Sequence, residues 1–204
     1  MKKTILLLAL LGATPALAHH PMGGAAPQTL MHGLLSGLAH PVIGIDHFAF
    51  VILVGLAAAL SGRMLAAPTA FIVATVAGTL LQLGGVVLPL AEPVIAGSVV
   101  ALGALLLAGR KLDGTAALVG FAAIGLFHGW AYGEAVIGSE PMPVLAYLAG
   151  FAAVQFAIAS GVAHLAARAL ATERGQGQTR IAAALCCGIG IAFALETLEA
   201  MIMA

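Results

Sequence analysis

The chain has 204 residues, of which 62% are hydrophobic and 8% charged, with 26 glycines and a mean hydropathy of +1.11. Soluble domains carry about 25% charged residues, so water is not the solvent for most of this chain, and a cytosolic enzyme is excluded. Lys+Arg and Asp+Glu number 8 each, a balance that offers no basic patch to a nucleic acid.

Residues 1–18 read MKKTILLLALLGATPALA: two lysines, an apolar core too short to span a bilayer, then Ala16-Leu17-Ala18. These are the marks of a cleavable signal peptide, and cleavage after Ala18 places His19 and His20 at a mature amino terminus in the periplasm. Residues 19–39 follow as a periplasmic tether and surface segment, with 30–39 read as a surface helix or an extra turn of the first span. Residues 40–204 form the transmembrane domain. Six apolar segments, at 41–60, 67–88, 94–108, 115–132, 144–169 and 181–203, come near the ~20 residues a bilayer core needs. The predicted fold is therefore all-α, a six-helix transmembrane bundle, with 172–179 as a solvated linker before the last span. Cys186 and Cys187 are adjacent in an apolar run and read as packing residues.

With the mature amino terminus outside, the loops bearing Arg63, then Arg110 and Lys111, then Arg168, Arg174 and Arg180 share one side. By the positive-inside rule that side is the cytoplasm, so the expected location is the inner membrane with both termini periplasmic. Glu92 and Glu140 fall in the opposite loops and read as solvated charges.

Depth follows from a rise of about 1.5 Å per residue. Asp46 and His47 lie roughly 8–9 Å into the first span, and His128 has climbed about 20 Å along the fourth, which puts all three in the outer half. Glu134 is near the outer mouth, and Glu196 and Glu199 reach about 22 and 27 Å along the sixth span. Several carboxylates at one depth are costly in a bilayer and call for a compensating cation.

Spacing supports a shared site. His40 and His47 are two helical turns apart and share a face if the first span is regular, with Pro41 at the first helical position and His40 at the cap. Glu196 and Glu199 share another face. His128 and Glu134 are six apart, off register for a continuous helix, so Gly129 and Gly133 are predicted to unwind the backbone and turn both inward. Gly37-Leu38-Ala39-His40 before Asp46 echoes Gly125-Leu126-Phe127-His128 before Glu134, a pattern that fits a three-plus-three inverted duplication. His164 reads as a packed, hydrogen-bonded residue, and Gln82 and Gln155 as bonds between helices. Gly78, Gly84, Gly103, Gly150 and Gly161 read as close-packing positions.

Imidazole with carboxylate suits borderline dications such as nickel, cobalt, zinc or iron, whereas magnesium and calcium prefer all-oxygen shells. The segment His40-Pro41-Val42-Ile43-Gly44-Ile45-Asp46-His47 resembles the HPxxGxDH element of HupE/UreJ proteins, a group of secondary nickel/cobalt permeases. Phe127-His128-Gly129-Trp130-Ala131-Tyr132-Gly133-Glu134 is similar to their second, His-Gly-rich element. Members with the fuller second element carry a further His where Tyr132 stands, and their Glu one place later than Glu134. The resemblance spans essentially the whole mature chain. It implies inward passage of Ni²⁺ or Co²⁺ as the transported ion, with no resident cofactor and with His40, Asp46, His47, His128 and Glu134 as ligand candidates. His19, His20 and His32 are placed as collectors of the ion at the outer surface. The expected partners are the dication and the lipid bilayer, no nucleic acid, and a homo-oligomer is left open.

Among the rivals, a metalloprotease lacks HExxH and a serine hydrolase lacks its Gly-x-Ser-x-Gly elbow. Paired histidines could instead ligate haem in a redox anchor, although haem has no use for Asp46 and Glu134. A metal-sensing or delivery protein without transport is the third reading. There is no GxxxxGK[ST], so the chain is not itself a P-loop ATPase; the membrane potential could drive entry instead, with or without coupled protons.

Overall fold

The computed structural model describes residues 25–203, and within them every regular element is a helix. In chain order these are α1 (Leu30–Ile43), α2 (Ile45–Ser61), α3 (Ala66–Leu83), α4 (Ala91–Leu107), α5 (Gly114–Gly133), a 3-10 turn (Glu134–Val136), α6 (Pro141–Ala169) and α7 (Glu173–Met203). Four stretches are long and apolar enough to cross a membrane: α3, α5 with its 3-10 turn, α6 and α7. The α1–α2 pair passes the same test only when taken together, bent by 78° as a broken span or a re-entrant loop is, and α4 is a shorter apolar helix of 17 residues. Such a set of apolar helices is consistent with a multi-pass membrane protein. The proposed signal peptide lies outside the described residues.

The first span is therefore not the regular helix expected at 41–60. Pro41 sits in the last turn of α1, not at a helix start, and His40 lies in the same turn. Proline lacks the N–H that would bond the carbonyl four residues back, and Gly44 then takes an extended conformation (φ −71°, ψ 95°) that ends one helix and opens the next. The chain bridges the corner with two backbone bonds, Gly44 N–H to His40 O (3.0 Å) and Phe48 N–H to Gly44 O (2.8 Å). Residues 30–39 form the body of α1, with Gly33 and Gly37 set against α6. Residues 173–179 are equally not a linker: they are the first two turns of α7, where Thr172 Oγ1 accepts from Gly175 N–H at 3.1 Å.

Three close pairs build the bundle, and each approaches through glycine. In α1 against α6, a Cβ on Gly33 or Gly37 would strike the backbone of Pro143 or Tyr147. Between α3 and α5, Gly78 faces the backbone of Leu126 while Gly125 and Gly129 face that of Phe71 and Thr75. Along α4 and α7, Gly103 meets Cys187 and Gly190 meets Val99 and Val100. Without a hydrophobic force between helices in lipid, backbone proximity of this kind is what holds spans together. Gly84 and Gly161 play no such part, since nothing from another helix lies within 4 Å of a Cβ built on either. Helix α2 runs through the middle, with Ala49, Phe50, Val51, Leu53, Val54, Leu56, Ala57 and Ala58 all buried. Cys186 and Cys187 are thiols, the second 3.6 Å from the Val100 carbonyl.

Candidate functional site

The corner between α1 and α2 forms the wall of a cavity of about 650 Å³. From that corner come His40, Asp46 and His47; α4 contributes Glu92, the end of α5 Trp130, and the 3-10 turn after it Glu134. Phe193, Glu196 and Thr197 close it from α7. Four carboxylates and two imidazoles thus line one cavity, and no Lys or Arg of the described residues is among its lining. The six Lys and Arg of the described residues lie at the other end of the bundle: Arg63 follows α2, Arg110 and Lys111 follow α4, Arg168 ends α6, and Arg174 and Arg180 begin α7.

Behind the cavity the imidazoles are tied into buried hydrogen-bonded chains. His47 Nδ1 lies 3.0 Å from His128 Nδ1, and His128 Nε2 lies 3.0 Å from Ser98 Oγ. Ser98 in turn donates to the Ile95 carbonyl at 2.7 Å. On the other side, His40 Nδ1 is 2.7 Å from Tyr147 Oη, which donates to the Tyr132 carbonyl at 2.8 Å. The Tyr132 ring sits against both ligand candidates, its centroid 4.9 Å from that of His40 and 4.5 Å from that of His47. His128 is stacked on Phe50 at 4.4 Å and meets Phe71 edge-on at 5.8 Å.

Asp46 is buried in the first turn of α2. The unpaired N–H groups and the positive dipole end of that helix favour its charge there. Its Oδ1 accepts no hydrogen bond among the described residues. A buried carboxylate oxygen left this way is costly, and a cation or a polar guest in the cavity would relieve it.

The sequence candidates separate into groups. His40, Asp46 and His47 converge on the cavity, with centroids of the two imidazoles 6.2 Å apart. Glu134 and Glu196 stand on its wall, whereas Glu199 is exposed and not part of the lining. His128 is fully buried behind His47. His32 is half-buried in the first turn of α1, its backbone N–H held by Thr29 Oγ1 at 3.1 Å. His19 and His20 lie outside the described residues. Among those residues no three His, Cys, Asp or Glu side chains already form one coordination shell. The donors surround a cavity without closing on a point.

The predicted unwinding at Gly129 and Gly133 does not occur. Helix α5 is continuous to Gly133, and the two glycines serve instead to bring it against Thr75 and Gln82 of α3. The six-residue offset is absorbed by the 3-10 turn at Glu134, which leaves that side chain exposed at the mouth while His128 stays in the core. Glu92 is not a loop charge, since it occupies the first turn of α4 and lines the cavity. His164, exposed on α6, bonds the Ser160 carbonyl at 2.7 Å. Gln155 is buried, 3.5 Å from Thr75 Oγ1 across the helix pair. Ser98 and Tyr147 escaped the sequence reading. The available signal was that a tyrosine or serine hydroxyl inside an apolar span needs a partner.

A family model described as HupE / UreJ protein matches residues 6–193. Protein HupE of Rhizobium leguminosarum bv. viciae is 32% identical over 176 residues, covering 83% of this chain and 86% of its own. No solved structure matches significantly. The bent HPxxGxDH corner, the His-Gly stretch behind it and this match over nearly the whole length lead to one assignment: the chain belongs to the HupE/UreJ family.

Proposed function

We propose that this chain is a secondary transporter that carries a divalent transition-metal ion, nickel or cobalt, across the inner membrane from the periplasm. The observation that supports it most is the cavity itself. Three glutamates, Glu92, Glu134 and Glu196, concentrate a cation at its mouth, and His40, Asp46 and His47 offer two nitrogens and an oxygen at its base. Carboxylates around the mouth suit a dication and have no role for a haem macrocycle, which favours transport over the redox anchor. Orientation follows from the cations: placed in the cytoplasm, they turn the acidic cavity toward the periplasm, with both termini on that side.

An open N/O set also suits a carrier, which must release what it binds. No closed thiolate shell is offered, and the ion would keep part of its water until the site closes around it. Inward movement of a dication down the membrane potential is worth about 4.6 kcal/mol per 100 mV, enough to drive accumulation without nucleotide hydrolysis. His19 and His20, at the mature amino terminus left by signal cleavage, would capture the ion before the cavity does, with His32 near the start of α1 as the next stop. The protein supplies no reaction chemistry in this scheme and is not an enzyme.

The test is cellular accumulation of radiolabelled nickel and cobalt with and without the protein, then with Asp46→Asn and His47→Ala. Each substitution should reduce accumulation by at least the ~10–100-fold that loss of a mere supporting residue costs a metal site. Full accumulation by both variants, inserted at normal levels, would remove this site from the transport path.

A further inference from the structure

The hydrogen-bonded chains behind the cavity run in one direction only, and that direction can be read from their ends. Each terminates on a backbone carbonyl, Ile95 O in one and Tyr132 O in the other, and a carbonyl can only accept. Oxygen atoms 2.7 and 2.8 Å apart need a proton between them, so the single hydroxyl protons of Ser98 and Tyr147 are spent on those carbonyls. What each hydroxyl offers next is a lone pair. Tyr147 Oη, 2.7 Å from His40 Nδ1, therefore accepts an Nδ1–H from His40. Ser98 Oγ, 3.0 Å from His128 Nε2, accepts an Nε2–H from His128. Neutral His128 then carries its lone pair on Nδ1, and the 3.0 Å contact to His47 Nδ1 can be filled only by a proton from His47.

From this we infer that Ser98, through His128, and Tyr147 are positioning residues that lock His47 and His40 as Nδ1–H tautomers, so that both hold their lone pairs on Nε2 for the metal ion. The inference rests on the transport reading above and refines it. His128 changes role, because both of its nitrogens are committed within the chain: it orients a ligand and is not one. Burial adds to the lock. Ser98, His128, His40 and Tyr147 are all buried, and Phe50 and Phe71 wall the His128 ring, so water has poor access to substitute for a missing partner. A metal-binding imidazole that donates its other N–H to a fixed acceptor meets the ion in the correct tautomer and orientation. Two ligands fixed by two separate helices, α4 and α6, also make the site sensitive to how those helices sit against the α1–α2 corner.

Removal of the Ser98 hydroxyl should reverse the chain. His128 Nε2–H would then face an apolar wall, the other tautomer would be preferred, and its Nδ1–H would force the proton of His47 onto Nε2, where it blocks the ligand lone pair. Tyr147→Phe should release only His40.

The experiment uses ¹⁵N-histidine-labelled full-length protein in detergent, kept metal-free, with tautomers read from two-bond ¹H–¹⁵N correlation spectra. Loss of signals in His40→Gln, His47→Gln and His128→Gln assigns them. Expected are protonated Nδ1 in His40 and His47 and protonated Nε2 in His128, inversion at His128 and His47 in Ser98→Ala, a change confined to His40 in Tyr147→Phe, and retention in Ser98→Thr. Ni²⁺ titration of the same samples should show affinity reduced ~10–100-fold in Ser98→Ala and Tyr147→Phe and kept in Ser98→Thr. Wild-type His47 or His40 protonated on Nε2 overturns the inference whatever the variants do. Correct tautomers in a protein that neither binds Ni²⁺ nor accumulates it would leave the hydrogen-bond chains standing and sink the transport reading instead.

Discussion

The two ends of the bundle are made by the same helices and hold opposite chemistry. At the end where α1 turns into α2, the helices part around a cavity that collects Asp46, Glu92, Glu134 and Glu196. At the far end, six Lys and Arg side chains outnumber two carboxylates, Asp113 and Glu173. Between them lies a mostly apolar layer that includes Leu53, Val54, Val99, Leu102, Ala159 and Ala163, all buried, with the buried Ser160 hydroxyl beside them. The His128 ring rests on Phe50 and Phe71 at the top of this layer. In the proposed transport a dication crossing such a layer would need water or new ligands, so onward passage would require the helices to part there. Among the described residues the helices thus part at the acidic end and pack closely below the histidines.

The largest effect should come from breaking the packing that both ends share. Gly129→Val puts a branched side chain into the Thr75 backbone at the α3–α5 crossing, with no flexible neighbour able to yield. We expect little or no monodisperse protein from detergent, whereas Gly161→Ala, in open space, should be indistinguishable from wild type by yield and thermal stability. Equal yields of the two would mean that the close pairs do not hold the bundle.

How much of this was legible in the sequence depended on the range of the interaction. Hydropathy located the apolar segments because each is satisfied by its own backbone bonds and needs only lipid outside. The corner at Gly44 was hidden because Pro41 is equally at home in the first turn of a helix, and only packing of Gly33 and Gly37 on α6 commits residues 30–43 to a helix that ends there. The Gly-Leu-x-His echo had a physical basis, though one of packing: Gly37 and Gly125 each face a neighbouring backbone three residues before the histidine. Its acids diverge, with Asp46 buried and Glu134 exposed. His40, Asp46 and His47 could be grouped since they are close in sequence. Ser98 and Tyr147 could not, because their value lies in contacts across 30 and 107 residues of chain.

An intermediate effect should come from the mouth of the cavity. Glu134→Gln and Glu92→Gln remove charge from the walls without touching His40, Asp46 or His47, so capture should weaken while the maximal rate stays. A several-fold rise in KM for each, and more for the pair, is expected at low ionic strength, where steering of a cation by fixed carboxylates is strongest. Raising salt to ~0.15 M shortens the screening length to about 8 Å and should narrow the gap between variant and wild type. An unchanged KM at low salt would reduce the acidic end to an incidental feature and erase the contrast with the basic end.

The smallest and most discriminating change is at Tyr132, whose ring lies against both His40 and His47 and whose buried hydroxyl finds no partner among the described residues. Related proteins resembling the fuller motif have histidine at this place. Tyr132→His would add a nitrogen donor beside two others while leaving intact the backbone carbonyl that Tyr147 uses. Each added nitrogen favours nickel over cobalt along the first-row series, so the nickel-to-cobalt uptake ratio should rise, by no more than about tenfold, or ~1.4 kcal/mol. Tyr132→Phe separates the causes: it removes the hydroxyl alone and should leave the ratio where it was. If histidine and phenylalanine shift the ratio equally, the cavity discriminates by shape and not by donor number, and the metal preference of the site must be sought in the geometry of the α1–α2 corner.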